Sequence, residues 1–269
     1  MDAVENFQQE LPERLVFGVD AHRYDTYRPS YHPDLFAWLA EEFRINGDAV
    51  VLEIGAGTGI ASTQMLYYGP EMHFVEPSLP MAEILATKLD PDVPSTIFNS
   101  DFESTDLGDS SYDLVISGQA WHWLTPGLRS SKVARLLRKG GGLAVFWNVG
   151  EVINSRTGSA LRRIWEVFDR EKRTDDDERQ VIYGTLLLDP YYEELATSGH
   201  FASIERRIFT REISCPKEDL FGMMTSMADF LSLPEARQRH VLALLNRSFG
   251  RRSEPIGIRF ETHAFVAKT

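Results

Sequence analysis

The chain has a single cysteine, Cys215, in 269 residues. One thiol cannot close an intrachain disulfide, and no Cys/His cluster has structural-zinc spacing, so neither device is expected to staple the fold. Positive charge is also scarce: 28 Lys and Arg stand against 40 Asp and Glu, a formal net charge of −12. Nucleic-acid binders draw most of their affinity from neutralising phosphates, and an acidic chain without a basic stripe suits that role poorly. No apolar run reaches the roughly 18 residues that a bilayer span requires. The opening stretch MDAVENFQQELPERL is polar and acidic, which is not how a secretory leader reads. These absences lead to an expectation of a cytoplasmic protein, monomer or homodimer, with no metal, nucleic acid or membrane, whose partner is a small molecule. What is present is ordinary for a self-sufficient core, 43% hydrophobic and 25% charged residues.

Along the first 150 residues, short apolar runs alternate with helical patterns. Asp34–Arg44 carries apolar groups at helical spacing, and Ala49–Ile54 is an apolar run ending in glycines, the mark of a buried parallel strand. Ile60–Tyr68 and Met81–Leu89 read as helices. Met72–Glu76, Ser95–Asn99, Asp113–Ser117 and Leu143–Trp147 read as strands. Lys132–Arg138 reads as the close of a helix that stops at Gly140, Gly141 and Gly142. Repeated strand-helix-strand units imply right-handed crossovers and an α/β, doubly wound, mostly parallel sheet. The second half is less regular. Helices are expected over Ala160–Lys172, Tyr191–Ser198, Leu220–Leu231 and Glu235–Phe249, with strands at Ser203–Ile213 and Ile258–Ala267. Residues 170–179 form a charge run, read as a solvated helix end or loop. The apolar stripe around Met223, Met224, Met227 and Phe230 reads as core rather than interface. Without a Pro/Gly linker, one domain over 1–269 with helical insertions is the simplest organisation; its segments are 1–33, 34–150 and 151–269, to which the resemblance drawn below assigns a lid, a cofactor-binding core, and insertion helices and final strands over an acceptor pocket.

The chemistry concentrates at VLEIGAGTGIAS, residues 51–62. Gly55, Gly57 and Gly59 sit between a strand and a helix, where missing side chains let the backbone turn tightly and approach a ligand. Glu53 precedes them, and Glu76 ends the next strand, 21 residues after Gly55, where nucleotide-binding α/β proteins place a carboxylate for ribose hydroxyls. A dinucleotide calls for G-x-G-x-x-G, with pyrophosphate on the helix N-terminus. Here the spacing is G-x-G-x-G, and the neighbouring acids favour a cationic ligand such as S-adenosylmethionine. Asp101 and Phe102 follow the third strand, where an acid can accept from an adenine amine and a ring can stack, or where Asp simply caps a helix. Gln119-Ala120-Trp121-His122-Trp123 follows the fourth strand, at the edge where open α/β sheets bind ligands.

With these segments in view, the chain resembles class I S-adenosylmethionine-dependent methyltransferases. The resemblance rests on LEIGAGTG, FVEPS, SDFE, YDLVISGQAWHW and LLRKGGGLAVFW. QAWHW together with HRYDTYRPSYHP (22–33) resembles the small-molecule branch that includes trans-aconitate methyltransferases. The resemblance implies a Rossmann-like, seven-stranded sheet with helical insertions forming a lid and Ile258–Ala267 as an antiparallel strand near the edge. It implies S-adenosylmethionine as cofactor, with Glu53, Gly55, Ala56 and Gly57 along its methionine and ribose. Glu76 would hold the ribose diol, with Pro77 and Ser78 beside it and Met81 near the adenine. Asp101 and Phe102 would hold the adenine edge, Gln119 would start the loop under the methyl donor, and Tyr24 and Arg28 would meet the methionine carboxylate. Tyr31, Trp121, His122 and Trp147 would face the acceptor, with His122 as base or as orienter of the acceptor. The Asn-Pro-Pro-Tyr signature of nucleic-acid amino methyltransferases is absent, in agreement with the charge. Two other readings stand beside this one: a protein that binds S-adenosylmethionine without methylating, and, against the glycine spacing, a nicotinamide-dependent oxidoreductase.

Overall fold

The computed structural model describes residues 13–168, 181–183, 188–249 and 254–269. These residues sort into two compact units. The first contains 13–29, 149–168, 181–183, 210–249 and 254–261, and the second contains 30–148, 188–209 and 262–269. Where the sequence suggests cuts near 33 and 150, the chain divides at 29/30 and 148/149, and two late segments join the core. The charge run at 170–179 lies outside the described residues.

The second unit is built on the expected sheet. Its strands β1 (Val50–Ile54), β2 (Glu71–Val75), β3 (Ser95–Phe98) and β4 (Tyr112–Gly118) are joined by β5 (Leu137–Val152), β7 (Ser203–Cys215) and β8 (Ile256–Lys268) in the order β3-β2-β1-β4-β5-β8-β7. A three-residue strand β6 (Val181–Tyr183), which the sequence reading missed, pairs antiparallel with the far end of β5. The β1–β2, β1–β4, β2–β3 and β4–β5 pairs are all parallel. β8 runs against β5: Thr269 N–H bonds the Gly141 carbonyl at one end, and Ile153 N–H bonds the Gly257 carbonyl at the other. The sheet is thus mostly parallel with an antiparallel strand inserted next to its edge, as the resemblance implied.

Local chemistry explains the helices that cover it. Helix α1 (Ala21–Tyr27) belongs to the first unit. Helix α2 (Pro33–Glu42) starts on a proline, whose missing N–H costs nothing there, and His32 caps it by accepting from Asp34 N–H. Its Leu35, Phe36, Trp38 and Leu39 are buried with Val51, Leu114, Ile116 and Phe146 of the central strands. The remaining helices of this unit are α3 (Ser62–Leu66), α4 (Leu79–Lys88), α5 (Leu128–Leu136) and, further along, α7 (Asp189–Thr197). α5 ends four residues before Gly140, so the three glycines sit inside β5 rather than after a helix. β5 is therefore 16 residues long, far more than the five read from its apolar segment.

The first unit has its own core. Helix α6 (Ser155–Phe168) contributes Leu161 and Ile164, α8 (Lys217–Thr225) contributes Leu220, Met223 and Met224, and the short α9 (Ala228–Leu231) contributes Phe230. Val241, Leu245 and Phe249 line up at i, i+4 and i+8 on α10 (Glu235–Phe249), the stripe that buries one helix face. The methionine stripe is core, as its spacing suggested. The single helix expected over Leu220–Leu231 is two, broken at Ser226 and Met227. A cavity of about 370 Å³ lies in this unit, with Arg23, Thr225 and Gln238 set among Val16, Phe230 and Leu242.

Candidate active site

The carboxyl ends of β1, β2, β3 and β4 converge on one edge of the second unit, and the candidate residues of this unit gather there or just behind it. β1 delivers Glu53, its second-to-last residue, and then breaks into the glycine turn. Gly55 has φ +69°, and a Cβ there would stand 2.3 Å from the Ala120 Cβ, so the turn after β1 and the turn after β4 can touch only through glycine. Thr58, inside the same turn, has a fully buried hydroxyl without a hydrogen-bond partner.

Two buried carboxylates define the electrostatics. Glu76, 5% exposed, accepts from Gly57 N–H at 2.8 Å through one oxygen and from Ser78 N–H at 2.8 Å through the other. The side-chain amide of Asn99 grips the Glu76 carbonyl at 2.8 Å, which fixes the backbone ahead of Pro77. Glu53, 2% exposed, accepts from the Ser62 hydroxyl at 2.5 Å. Burial pushes the Glu53 carboxyl up to about 8, and the charge of Glu76 acts in the same direction. Burial raises Glu76 as well, against the pull of its two amide donors. Neither acid is paired with a Lys, Arg or His among the described residues. Two buried acids without a cation are costly by themselves and become favourable when a cationic ligand arrives. That donor set fits S-adenosylmethionine. Ala56 and Met81 are buried around the turn.

Beyond β3, Asp101 is half-buried while Phe102 is 2% exposed, with the Lys132 ammonium 4.7 Å over its ring. Phe102, expected as an open stacking face, is thus a buried side chain under the Lys132 ammonium, and Asp101 beside it is half-buried. Beyond β4, Gln119 adopts φ +56°, a left-handed conformation that costs a non-glycine residue about 1 kcal/mol or more. Its amide donates to the Asn148 carbonyl at 3.2 Å and its backbone N–H to the Phe146 carbonyl at 2.9 Å, which hold the strained turn in place.

The acceptor-side candidates separate by burial. Tyr31 is 6% exposed and packs edge-on against Phe146 at 4.7 Å. Trp121 and Trp147 are fully buried. These three belong to the core, a correction to the expectation that they line the pocket. Trp147 stacks on Tyr191 at 5.1 Å and donates its indole N–H to His122 Nδ1 at 3.3 Å. An indole N–H can only donate, so Nδ1 keeps its lone pair and the ring proton sits on Nε2. Burial, with the nearby Arg129 charge, pushes the His122 imidazole down to about 4. At neutral pH His122 is an uncharged N–H donor, which fits the orienting role rather than the base. Trp123, 4.7 Å from the His122 ring and half-buried, reaches the surface with it; the tryptophan pattern alone could not tell it from the buried Trp121. Tyr24 and Arg28 lie in the first unit, where the Arg28 guanidinium rests 4.6 Å over the Tyr24 ring and donates to the Ser226 carbonyl at 2.8 Å.

Known proteins resemble this chain in sequence and in fold. Residues 52–145 fit the family model described as a methyltransferase domain. An uncharacterised methyltransferase of Mycobacterium tuberculosis is 34% identical over 158 residues, 58% of this chain and 60% of its own length. The chain thus spans about three-fifths of that relative. An uncharacterised methyltransferase of Schizosaccharomyces pombe is 26% identical over 86% of each chain. Among solved structures, a protein of Anaeromyxobacter dehalogenans assigned as a type II methyltransferase aligns with a TM-score of 0.63 at 18% identity, over 90% of this chain and 98% of its own. Phosphoethanolamine N-methyltransferase 2 of Haemonchus contortus, solved with phosphomonomethylethanolamine and S-adenosylhomocysteine, aligns with a TM-score of 0.56 at 17% identity, over 96% of this chain and 60% of its own. Residues 52–145, which hold the glycine turn and the two acids, are thus similar to a methyltransferase domain, and the strand order around them is the fold of these solved structures.

Proposed function

We propose that the protein transfers a methyl group from S-adenosylmethionine to a small-molecule acceptor. The observation that carries this reading is the pair of buried, cation-free carboxylates, Glu53 and Glu76, at the ends of adjacent parallel strands. Glu76, already aligned by two backbone amides, would take the ribose diol, with Pro77, Ser78 and Met81 beside it. Glu53 with Gly55, Ala56 and Gly57 would face the methionine and ribose, and Asp101 would accept from the adenine amine. Gln119 would run under the methyl donor, and Tyr24 and Arg28 would serve the methionine carboxylate. When bound, the cofactor supplies a methyl group already activated on a sulfonium, for in-line displacement. The chain's own task is then to orient the acceptor and exclude water. His122 would orient it through Nε2–H, with Trp123 alongside.

A small acceptor agrees with the net charge of −12, which disfavours nucleic acid. It agrees as well with a first unit whose cavity of about 370 Å³ is of small-molecule size. No helix among the described residues is long and apolar enough to cross a membrane. Cytoplasmic residence belongs to the same reading. Calorimetric titration with S-adenosylmethionine, S-adenosylhomocysteine and NADH tests the cofactor. Binding of the two sulfur ligands, weakened at least about tenfold in Glu76→Ala, is expected. Binding of NADH alone would overturn the reading. An acceptor screen that follows S-adenosylhomocysteine release then separates methyl transfer from mere binding.

A further inference from the structure

Helix α5 carries two buried cations one turn apart, Arg129 and Lys132, at 4% and 8% exposure. Cations are seldom buried so deeply, and each needs a full set of acceptors. Arg129 finds them in Glu194, which it meets with two nitrogens, and in the Trp121 and Leu124 carbonyls, at 2.6 and 3.3 Å. Lys132 has no carboxylate bonded to it among the described residues. Its ammonium lies within hydrogen-bond distance of three carbonyls instead: Phe102 at 2.5 Å, Thr105 at 2.7 Å and Glu103 at 3.2 Å. An ammonium has three protons, and here each has its own carbonyl. All three belong to the single turn that follows β3. The same ammonium sits over the Phe102 ring. Glu103 also accepts from the backbone N–H and the hydroxyl of Thr125, which ties this turn to the one after β4.

A turn with three carbonyls on one interior ammonium is held from inside, and the Asp101 carbonyl is held in turn by the Ser104 and Thr105 amides, so the half-buried Asp101 side chain stands where the turn puts it. The geometry points to Lys132 as the positioning residue that sets the adenine selectivity of the cofactor site, an inference that rests on Asp101 reading the adenine amine. Lys132 touches no ligand itself. It fixes the turn, and the turn aims the carboxylate.

The experiment compares S-adenosylhomocysteine with S-inosylhomocysteine, which carries an oxo group in place of the 6-amino group, by calorimetry at one pH. The wild type is expected to favour the adenosyl form by about tenfold, the scale of one hydrogen bond to a charged group. Lys132→Met should bring that ratio within about twofold by weakening the adenosyl form alone, since the lost hydrogen bond is the one inosine never made. In an Asp101→Ala background, Lys132→Met should change neither affinity further. General loosening of the fold would weaken both ligands and leave their ratio in place. A wild-type ratio near one removes the adenine reading and the inference together. A tenfold wild-type ratio that survives in Lys132→Met overturns the inference alone. Should Lys132→Met not unfold cooperatively, Lys132→Arg, which keeps the charge but cannot serve three carbonyls from one atom, carries the same test: a reduced ratio supports the role and an unchanged one overturns it.

Discussion

Replacing Glu53 by glutamine should remove a proton that cofactor binding otherwise expels. Glu53 is 2% exposed, and burial lifts its carboxyl from 4.5 to about 8. At pH 7 such a group is about nine-tenths protonated. The ligand proposed for this site brings an ammonium and a sulfonium, and a neighbouring cation favours the ionised acid. Binding of S-adenosylmethionine at pH 7 should therefore release roughly 0.9 proton, and affinity should rise about tenfold from pH 7 to pH 9. Calorimetry in buffers of different ionisation enthalpy counts the proton directly. In Glu53→Gln the release should vanish and the affinity should become flat with pH. The same shift acts on folding. A carboxyl raised in the folded state lends its stability below the unfolded value near 4.5 and loses it as pH climbs through about 8. Each unit of that interval is worth about 1.4 kcal/mol, so the midpoint of ligand-free wild type should fall across this window relative to Glu53→Gln. A wild-type titration at pH 7 with no buffer dependence would mean that Glu53 is already ionised, and the reasoning from burial would fail.

Other perturbations follow from the same geometry. His122 should stay neutral with its proton on Nε2 down to about pH 4, its contribution to stability being lost as pH falls from 6.5 toward that value; nitrogen-detected NMR showing titration near 6.5 would refute this. Arg129→Met strands Glu194 and the Trp121 and Leu124 carbonyls, and by denaturant unfolding should cost about 3 kcal/mol, the scale of breaking a buried pair. Gln119→Gly relieves the left-handed backbone and should stabilise by about 1 kcal/mol while weakening cofactor binding; a loss of stability would show that the bond to the Asn148 carbonyl outweighs the strain.

The glycine turn and the two buried acids were legible because their signals are local. Apolar runs mark β1 and β4 since both faces of those strands are buried, and the turn glycines and two acids need only their spacing. The signals failed where the partner is far along the chain. Gly140, Gly141 and Gly142 read as a helix stop, yet they lie inside β5, where a Cβ on Gly142 would fall 2.2 Å from Phe43 Cζ. Nothing near position 142 announces that contact. Trp121 and Trp147 looked like pocket walls because an aromatic residue at a ligand edge and one behind it share the same letter. Their burial depends on Arg129, Tyr191 and Phe265, which the fold alone brings up. Arg129 and Glu194, 65 residues apart, were likewise invisible as a pair.

Strand β7 ends the strand order, so one side of its 13-residue backbone has no neighbouring strand among the described residues. An open ladder of that length is an invitation to a second copy, since unpaired amides and carbonyls can template another strand. Here the strand is dressed with Glu205, Arg206, Arg207, Arg211 and Glu212. Arg207 lies 4.0 Å over the Trp38 ring, and Arg206 meets Asp189 at 2.8 Å. Any chain that docked edge to edge would have to desolvate or displace these groups. The edge therefore acts as a built-in guard of solubility: concentrated protein should resist fibrillar association, and neutralising Arg206 and Arg207 together should be the quickest way to make it sticky.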